Sequence, residues 1–389
     1  MIKDLLVLCH SYRNFQKDPT ELVARHFSSV TALVRTNFFI EMGRFFLPYQ
    51  LKRFSSIYKI DRTDLPRNVQ IFQTPVKYFP TIKGYENIGE RHLDSVQRLI
   101  RNKKITFDLV HAHFTWSSGY VGARLKEQIG VPFVVTAHGY DIYDLPFRDT
   151  AWRKKIEYVL NTADSIITVS NKNRECISKL QVDTPVHVIP NGFKGDLFFP
   201  RNKSECRRAL GLPLDRVILL AVGNLETVKG HRYLIDAVRA ISRYRSDVIC
   251  VIIGMGKEIH ALNHQVHTAG LENTVLLAGE KSHIEIPLWI NACDLFILPS
   301  LNEGNPTVLF EALGCGRPVI GTHVGGVPEV LTSPDYGLLV EPASAEDLAD
   351  KLLEGLEKEW DQKRILEYSE QFEWRNISNE ILKIYSAFD

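Results

Sequence analysis

Two carboxylates, Glu303 and Glu311, bracket the stretch of this chain best equipped for chemistry, PSLNEGNPTVLFE over residues 299–311. An apolar run, Leu295 to Leu298, leads into a turn rich in Gly and Asn. Pro306 then stands where the first turn of a helix accepts proline, and that helix carries Glu311. Main-chain N–H groups at a helix start attract anions, so a phosphate or diphosphate suits the position. Two carboxylates alone would repel it. They become intelligible if the ligand also carries hydroxyl groups, from which carboxylates accept strong hydrogen bonds. A diphosphate with a sugar on one side and a ribose on the other meets both demands.

Such loops must be held by rigid elements, and short apolar runs alternate with helical patterns along the whole chain. Strands are expected at Leu5 to Cys9, Val69 to Gln73, Leu109 to Ala112, Phe133 to Thr136, Ser165 to Val169 and Val186 to Ile189. Ser117 to Gln128 and Trp152 to Thr162 read as helices between them. After Pro190-Asn191-Gly192 the rhythm restarts, with strands at Val217 to Val222, Val248 to Ile253, Thr274 to Leu277, Leu295 to Leu298 and Pro318 to Ile320. The fold class is therefore α/β, with two Rossmann-like doubly wound domains whose ligand lies in a central cleft. The domains are placed at 1–195 and 196–370, and residues 371–389 carry the apolar spacing of a closing helix.

The E-x7-E pattern inside EGNPTVLFEALGCGRPVIGTHVGGVPE resembles the retaining glycosyltransferases of family 4, which have the GT-B fold. Five further stretches match in the same order: HAHFTWSSG (His111 to Gly119), TAHGYDI (Thr136 to Ile142), VIPNG (Val188 to Gly192), VGNLETVKGHRYLIDA (Val222 to Ala237) and IIGMGKE (Ile252 to Glu258). Together they cover most of the chain beyond residue 108, with a flavour similar to members that build cell-surface polysaccharides.

The resemblance implies an acceptor-binding first domain, a donor-binding second domain, and a last helix that crosses back to the first. It implies a metal-independent, anomer-retaining transfer of a sugar from a nucleotide sugar to a hydroxyl of a lipid-linked or other glycan. Glu303 would hold hydroxyls of the donor sugar and Glu311 the nucleotide ribose. Main chain at Gly304, Asn305, Pro306 (carbonyl only), Thr307 and Val308 would face sugar and diphosphate, with Gly223, Asn224, Gly254 and Gly256 edging the donor. Lys229 would neutralise the leaving diphosphate, and His138 would meet the sugar. Ser11, Arg13 and His113 would contact the acceptor. Charge develops on the leaving oxygens as the anomeric bond breaks, so a positioned cation lowers that barrier. With no side chain placed as a covalent nucleophile, the resemblance implies front-face attack with the leaving diphosphate assisting deprotonation, and closure of the cleft over the donor as the conformational step.

Two departures stand out. Asn224 occupies the position where family members commonly carry an Arg, which leaves Lys229 and the helix amides, or another cation such as Arg13 or Arg174. The stretch after the first strand, His10 to Glu21, has no Gly, so contacts there fall to side chains. The same cleft would also suit a nucleotide-sugar epimerase or a silent nucleotide-sugar-binding subunit.

Composition sets the remaining bounds. A chain of 389 residues, 44% apolar and 24% charged, suits two globular domains and excludes a small binding module or a disordered scaffold. Lys3 and Asp4 interrupt the apolar start, and no run reaches the roughly 18 to 20 apolar residues of a membrane span, so a cytoplasmic protein is expected. The six cysteines form no C-x-x-C pair and read as free thiols. The chain is read as holding no D-x-D, H-x-x-x-H or Cys cluster, so no metal or other cofactor is expected. Gly254-Met255-Gly256 breaks the dinucleotide fingerprint at Ile259 and reads as a tight strand-to-helix turn.

The net charge of +1 conceals 28 Lys and Arg against 18 Asp and Glu through residue 195, and 19 against 28 beyond it. A basic half suits phosphate-rich partners such as an anionic membrane. Phe38 to Phe54 (FFIEMGRFFLPYQLKRF), where Pro48 interrupts five Phe mixed with Arg44, Lys52 and Arg53, could lie at such an interface. No nucleic-acid-reading module is recognisable, and no nucleic acid partner is expected.

Overall fold

Strands buried on both faces need apolar residues at successive positions, and parallel sheets covered by helices supply that burial. A computed structural model describes residues 2–43, 45 and 46, 54–79 and 81–388. It divides into two compact units, residues 1–190 with 374–389, and residues 191–373.

Unit 1 contains strands β1 (Asp4–Cys9), β2 (Ser29–Asn37), β3 (Val69–Val76), β4 (Leu109–His113), β5 (Phe133–Ala137), β6 (Ser165–Thr168) and β7 (Val186–Val188). They pair in parallel in the order β3-β2-β1-β4-β5-β6-β7. The pleat sends alternate residues to opposite cores: Leu6 and Leu8 join Val110, Val135 and Trp152, while Leu5, Val7 and Cys9 join Val30, Leu109 and Val134. The second core is closed by the helix Trp374–Tyr385, whose stripe Trp374, Ile377, Ile381, Ile384 and Tyr385 has helical spacing.

Unit 2 repeats the plan with β8 (Val217–Val222), β9 (Val248–Ile253), β10 (Val275–Gly279), β11 (Leu295–Leu298), β12 (Val319–Thr322) and β13 (Gly337–Val340), ordered β10-β9-β8-β11-β12-β13 and parallel throughout. In each sheet the winding reverses where β1 meets β4 and where β8 meets β11. Ligands of such sheets gather at the carboxyl ends of the strands beside that reversal. The loops and strand ends after β1, β4, β5, β8, β9 and β11 position most of the candidate site residues.

Several expectations shift. β2 and β13 were not foreseen; β2 reads SVTALVRTN and buries Thr31, Arg35, Thr36 and Asn37, which disguises a central strand as a polar segment. The expected helix at Ser117 begins only at Tyr120, after a tight turn over Thr115–Gly119. The expected boundaries at 195/196 and 370/371 fall instead at 190/191 and 373/374. Asn191 is tied to Asn305 by two 2.7 Å hydrogen bonds, Phe193 N donates to Phe372 O at 3.1 Å, and the Phe372 ring lies 4.9 Å from Phe310. Residues 191–195 and 371–373 thus pack with the second sheet.

Candidate active site

In unit 2 the loops after β8 and β11 dock main chain against main chain. Gly230 has φ +65°, and a Cβ there would lie 1.9 Å from the Pro299 carbonyl oxygen, while Leu301 N donates to Val228 O at 2.7 Å. The short turn Thr227–Lys229 is thereby held beside the loop that carries Glu303. Lys229 Nζ donates to Glu303 Oε1 at 2.6 Å, and Ser300 Oγ donates to the same oxygen at 2.7 Å. Gly325, at φ +52°, clamps the other side: its Cβ would stand 1.7 Å from Glu303 O, and Gly326 N donates to Gly304 O at 3.0 Å. Glu303 is 8% exposed, so its charge is held by these partners rather than by bulk water.

This docking is testable. Gly230→Ala destabilises by at least about 1–2 kcal/mol from the left-handed backbone alone, and its melting temperature falls by roughly 2–8 °C in a thermal scan. An unchanged melting temperature would show that the two loops are not locked.

The helix after the Glu303 loop is Thr307–Gly314, with Pro306 at its cap position and no side-chain cap. Its first-turn N–H groups are those a helix leaves without intrahelical partners. Glu311 is 6% exposed and shares a 3.0 Å hydrogen bond with His283 Nε2, whose ring packs 5.1 Å from Phe198. Asn305 serves as a brace, since its side-chain oxygen accepts from Asn191 N and its carbonyl from Asn191 Nδ2. Gly254 and Gly256 answer to packing, because a Cβ on either would fall within 2.2 Å of the carbonyls of Gly223 and Leu225 respectively. Gly223 differs: its nearest foreign atoms, on Lys229 and His231, are 3.8 Å away, which leaves room for a close ligand. Burial pushes the His231 imidazole down to about 4, so it is neutral near pH 7. Asn224 is exposed.

In unit 1 the ends of β4 and β5 bring His113 and His138 together, with Nδ1 and Nε2 sharing a 3.0 Å hydrogen bond. His111, on the same face of β4, bonds the Tyr385 hydroxyl at 2.6 Å and Thr136 Oγ1 at 2.7 Å. Burial lowers all three imidazoles, His113 to about 4 and the other two well below their ordinary value, so all are neutral near pH 7. Fully buried Asp141 fixes the His138 main chain: one oxygen accepts from His138 N and Gly139 N at 3.1 and 2.9 Å, the other from Thr115 N at 2.9 Å. Its carboxyl is raised by burial, with the three amides working against that shift. His138 Nδ1 is buried and has no hydrogen-bond partner among the described residues. Ser11 and Arg13 do not join this pair; they donate to the carbonyls of Lys59 and Tyr58 at 3.1 and 2.7 Å. Arg174 is exposed on the helix Asn171–Ile177.

Residues 202–372 match the family described as glycosyl transferases group 1, and residues 57–195 match glycosyltransferase family 4. TuaC of Bacillus subtilis, a glycosyltransferase named for teichuronic acid biosynthesis, is 31% identical over 293 residues, covering 74% of this chain and 72% of that one. The chain belongs to this family of glycosyltransferases. A D-inositol 3-phosphate glycosyltransferase of Corynebacterium glutamicum is 27% identical over 308 residues, covering 74% and 73%. Among solved structures, sucrose-phosphate synthase of Thermosynechococcus elongatus superposes with TM-score 0.79 at 20% identity over 99% of both chains. HepE of Anabaena, solved with UDP-glucose, superposes with TM-score 0.74 at 21% identity over 100% of both. These likenesses place the glycosyltransferase in the GT-B fold.

Sequence reasoning about this glycosyltransferase missed His283, Ser300 and the role of Asp141. Asp141 left a signal, standing three residues after His138 as short-range main-chain acceptors do. His283 left none, because 28 residues separate it from Glu311. Contrary to the expectation from sequence, His260 and His264 do make an H-x-x-x-H pair, on the helix Ile259–Thr268, and both are exposed. Among the described residues no three His, Cys, Asp or Glu are grouped to hold a metal ion.

Proposed function

We propose that this glycosyltransferase takes a sugar from a nucleotide donor and passes it, with retention at the anomeric carbon and without a metal, to a hydroxyl of a glycan acceptor. The observation that carries this reading is the Lys229–Glu303–Ser300 cluster directly before an uncapped helix start. Glu303 accepts hydroxyls of the sugar, the first-turn amides and Lys229 take the diphosphate, and Glu311, oriented by His283, takes the ribose. As the anomeric bond breaks, Lys229 and the amides hold the negative charge leaving with the diphosphate. The diphosphate in turn accepts the proton of the attacking hydroxyl. His138, neutral and fixed by Asp141, hydrogen-bonds the transferred sugar. The UDP-glucose held by HepE supports a uridine diphosphate sugar as donor, and the name of TuaC supports a polysaccharide acceptor.

Calorimetric titration of a panel of nucleotide sugars, with and without magnesium, tests this on the wild type and Lys229→Ala. One donor should bind equally well without metal and more weakly to the variant. Absence of binding across the panel would favour a silent subunit.

Peripheral attachment to an anionic membrane is part of the same proposal. No helix among the described residues is long and apolar enough to cross a membrane. After β2 the chain exposes Phe39, Met42, Phe45 (71%) and Phe46 (93%), with Phe79 stacked on Phe39 at 5.4 Å. Lys77 lies 4.9 Å over the Phe38 ring. Arg44, Pro48, Lys52 and Arg53 of the expected interfacial segment lie outside the described residues. Flotation with anionic liposomes should recover the protein in the lipid fraction at low salt. Changing Phe45, Phe46, Lys52 and Arg53 to Ser should release it, and unchanged flotation would refute the attachment.

A further inference from the structure

Arg35 lies near the end of β2 and is 6% exposed, yet no carboxylate pairs with it among the described residues. Its Nη1 donates to Ser117 Oγ at 2.8 Å, its guanidinium sits 5.5 Å over the Tyr85 ring, and its Nε is buried with no partner. Lys59 reaches the Arg35 carbonyl with its Nζ at 3.4 Å. Burial first, and the Arg35 charge second, lower this ammonium to about 7. Glu41 is the neighbouring carboxylate; it accepts from Ser56 N at 2.6 Å and Ser56 Oγ at 2.8 Å. It is also the single acid in the sequence between Arg35 and Lys59, against three further bases. Burial first, and the same two cations after it, hold His10 and His92 neutral, His92 at about 3.

A buried guanidinium left with one hydroxyl and one aromatic face is costly, and an arriving oxyanion removes the deficit. A planar guanidinium fork, with the Lys59 ammonium at the main chain of the same residue, suits a phosphoryl group, which has oxygens enough for both. We propose that Arg35 and Lys59, with Ser117, form a subsite in unit 1 for a phosphoryl group carried by the acceptor. This rests on the reading above that unit 1 receives the acceptor. Ser11 and Arg13, through the carbonyls of Lys59 and Tyr58, hold the segment that delivers Lys59. The Tyr85 ring that lies under the Arg35 guanidinium carries a hydroxyl that meets the Tyr140 hydroxyl at 2.5 Å, and Tyr140 stands two residues from His138. The subsite would therefore hold an acceptor near the histidine pair.

The test reads Arg35 itself. In the full chain labelled with 15N-arginine, the Arg35 Nε–H resonance, assigned by its loss in Arg35→Lys, is followed during titration with inorganic phosphate, and with chloride at equal ionic strength. Phosphate should shift it saturably and chloride should not, and Lys59→Gln should raise the midpoint by roughly 10-fold, the worth of one charge-assisted hydrogen bond. Equal unsaturable drift with both anions, or a midpoint indifferent to Lys59→Gln, overturns the subsite. The wild-type titration needs no variant to fold, and reading one arginine separates this binding from phosphate beside Lys229. Glycerol phosphate and phosphatidylcholine vesicles containing phosphatidate then distinguish the source. Saturation by the first alone points to a soluble phosphorylated acceptor, saturation by the vesicles to a lipid-borne one, and by neither refutes the proposal. Phosphate saturating Arg35 in a protein that transfers no sugar would sink the assigned reaction and leave the subsite standing.

Discussion

Lys229→Ala should lower kcat/KM by at least about 10- to 100-fold, the loss of one charge-assisted hydrogen bond worth roughly 1.5–3 kcal/mol. Lys229 Nζ lies 2.6 Å from Glu303 Oε1, so the variant loses the partner of a buried carboxylate together with the cation proposed to face the leaving diphosphate. These two effects separate in the kinetics. Charge grows on the diphosphate only as the bond breaks, so loss of the cation should fall mainly on kcat. Loss of Glu303 alignment should weaken sugar binding and appear in KM, as it should in Glu303→Gln. Wild-type rates in Lys229→Ala, measured by release of nucleoside diphosphate, would remove Lys229 from the machinery.

The second expected result is a division of labour. Glu311→Ala should weaken nucleotide binding by roughly 10-fold, while His138→Ala should bind donor as the wild type does and transfer about 100-fold more slowly. Glu311 is buried against His283 in unit 2, whereas His138 belongs to unit 1 and presents a ring nitrogen without a partner among the described residues. Binding is read by calorimetry and transfer by product formation. The opposite pattern would overturn the assignment of roles.

Much of the scaffold was legible because parallel strands buried on both faces write themselves as unbroken apolar runs. Val217 to Val222, Val248 to Ile253 and Leu295 to Leu298 form strands over those same residues. β2 escaped because its far end carries Arg35, Thr36 and Asn37, polar residues that are buried for reasons the local sequence does not display. Gly254 and Gly256 make the tight strand-to-helix turn their spacing announced, since main-chain packing requires both, while a Cβ at Gly223 would meet nothing nearer than 3.8 Å.

The sequence by itself determined the two sheets, the loops at their carboxyl ends, and the residue types gathered at Glu303, Lys229, Glu311 and His138. Those follow from local patterns of two to eight residues, within which side-chain periodicity and turn chemistry act. Only the tertiary structure decided which groups became partners: His283 with Glu311, Asp141 with the His138 main chain, Tyr385 with His111, and, among the described residues, Arg35 with no carboxylate. Hydrogen bonds and burial depend on distance in space, and residues up to 274 positions apart meet here because strand order, not chain order, sets their neighbours.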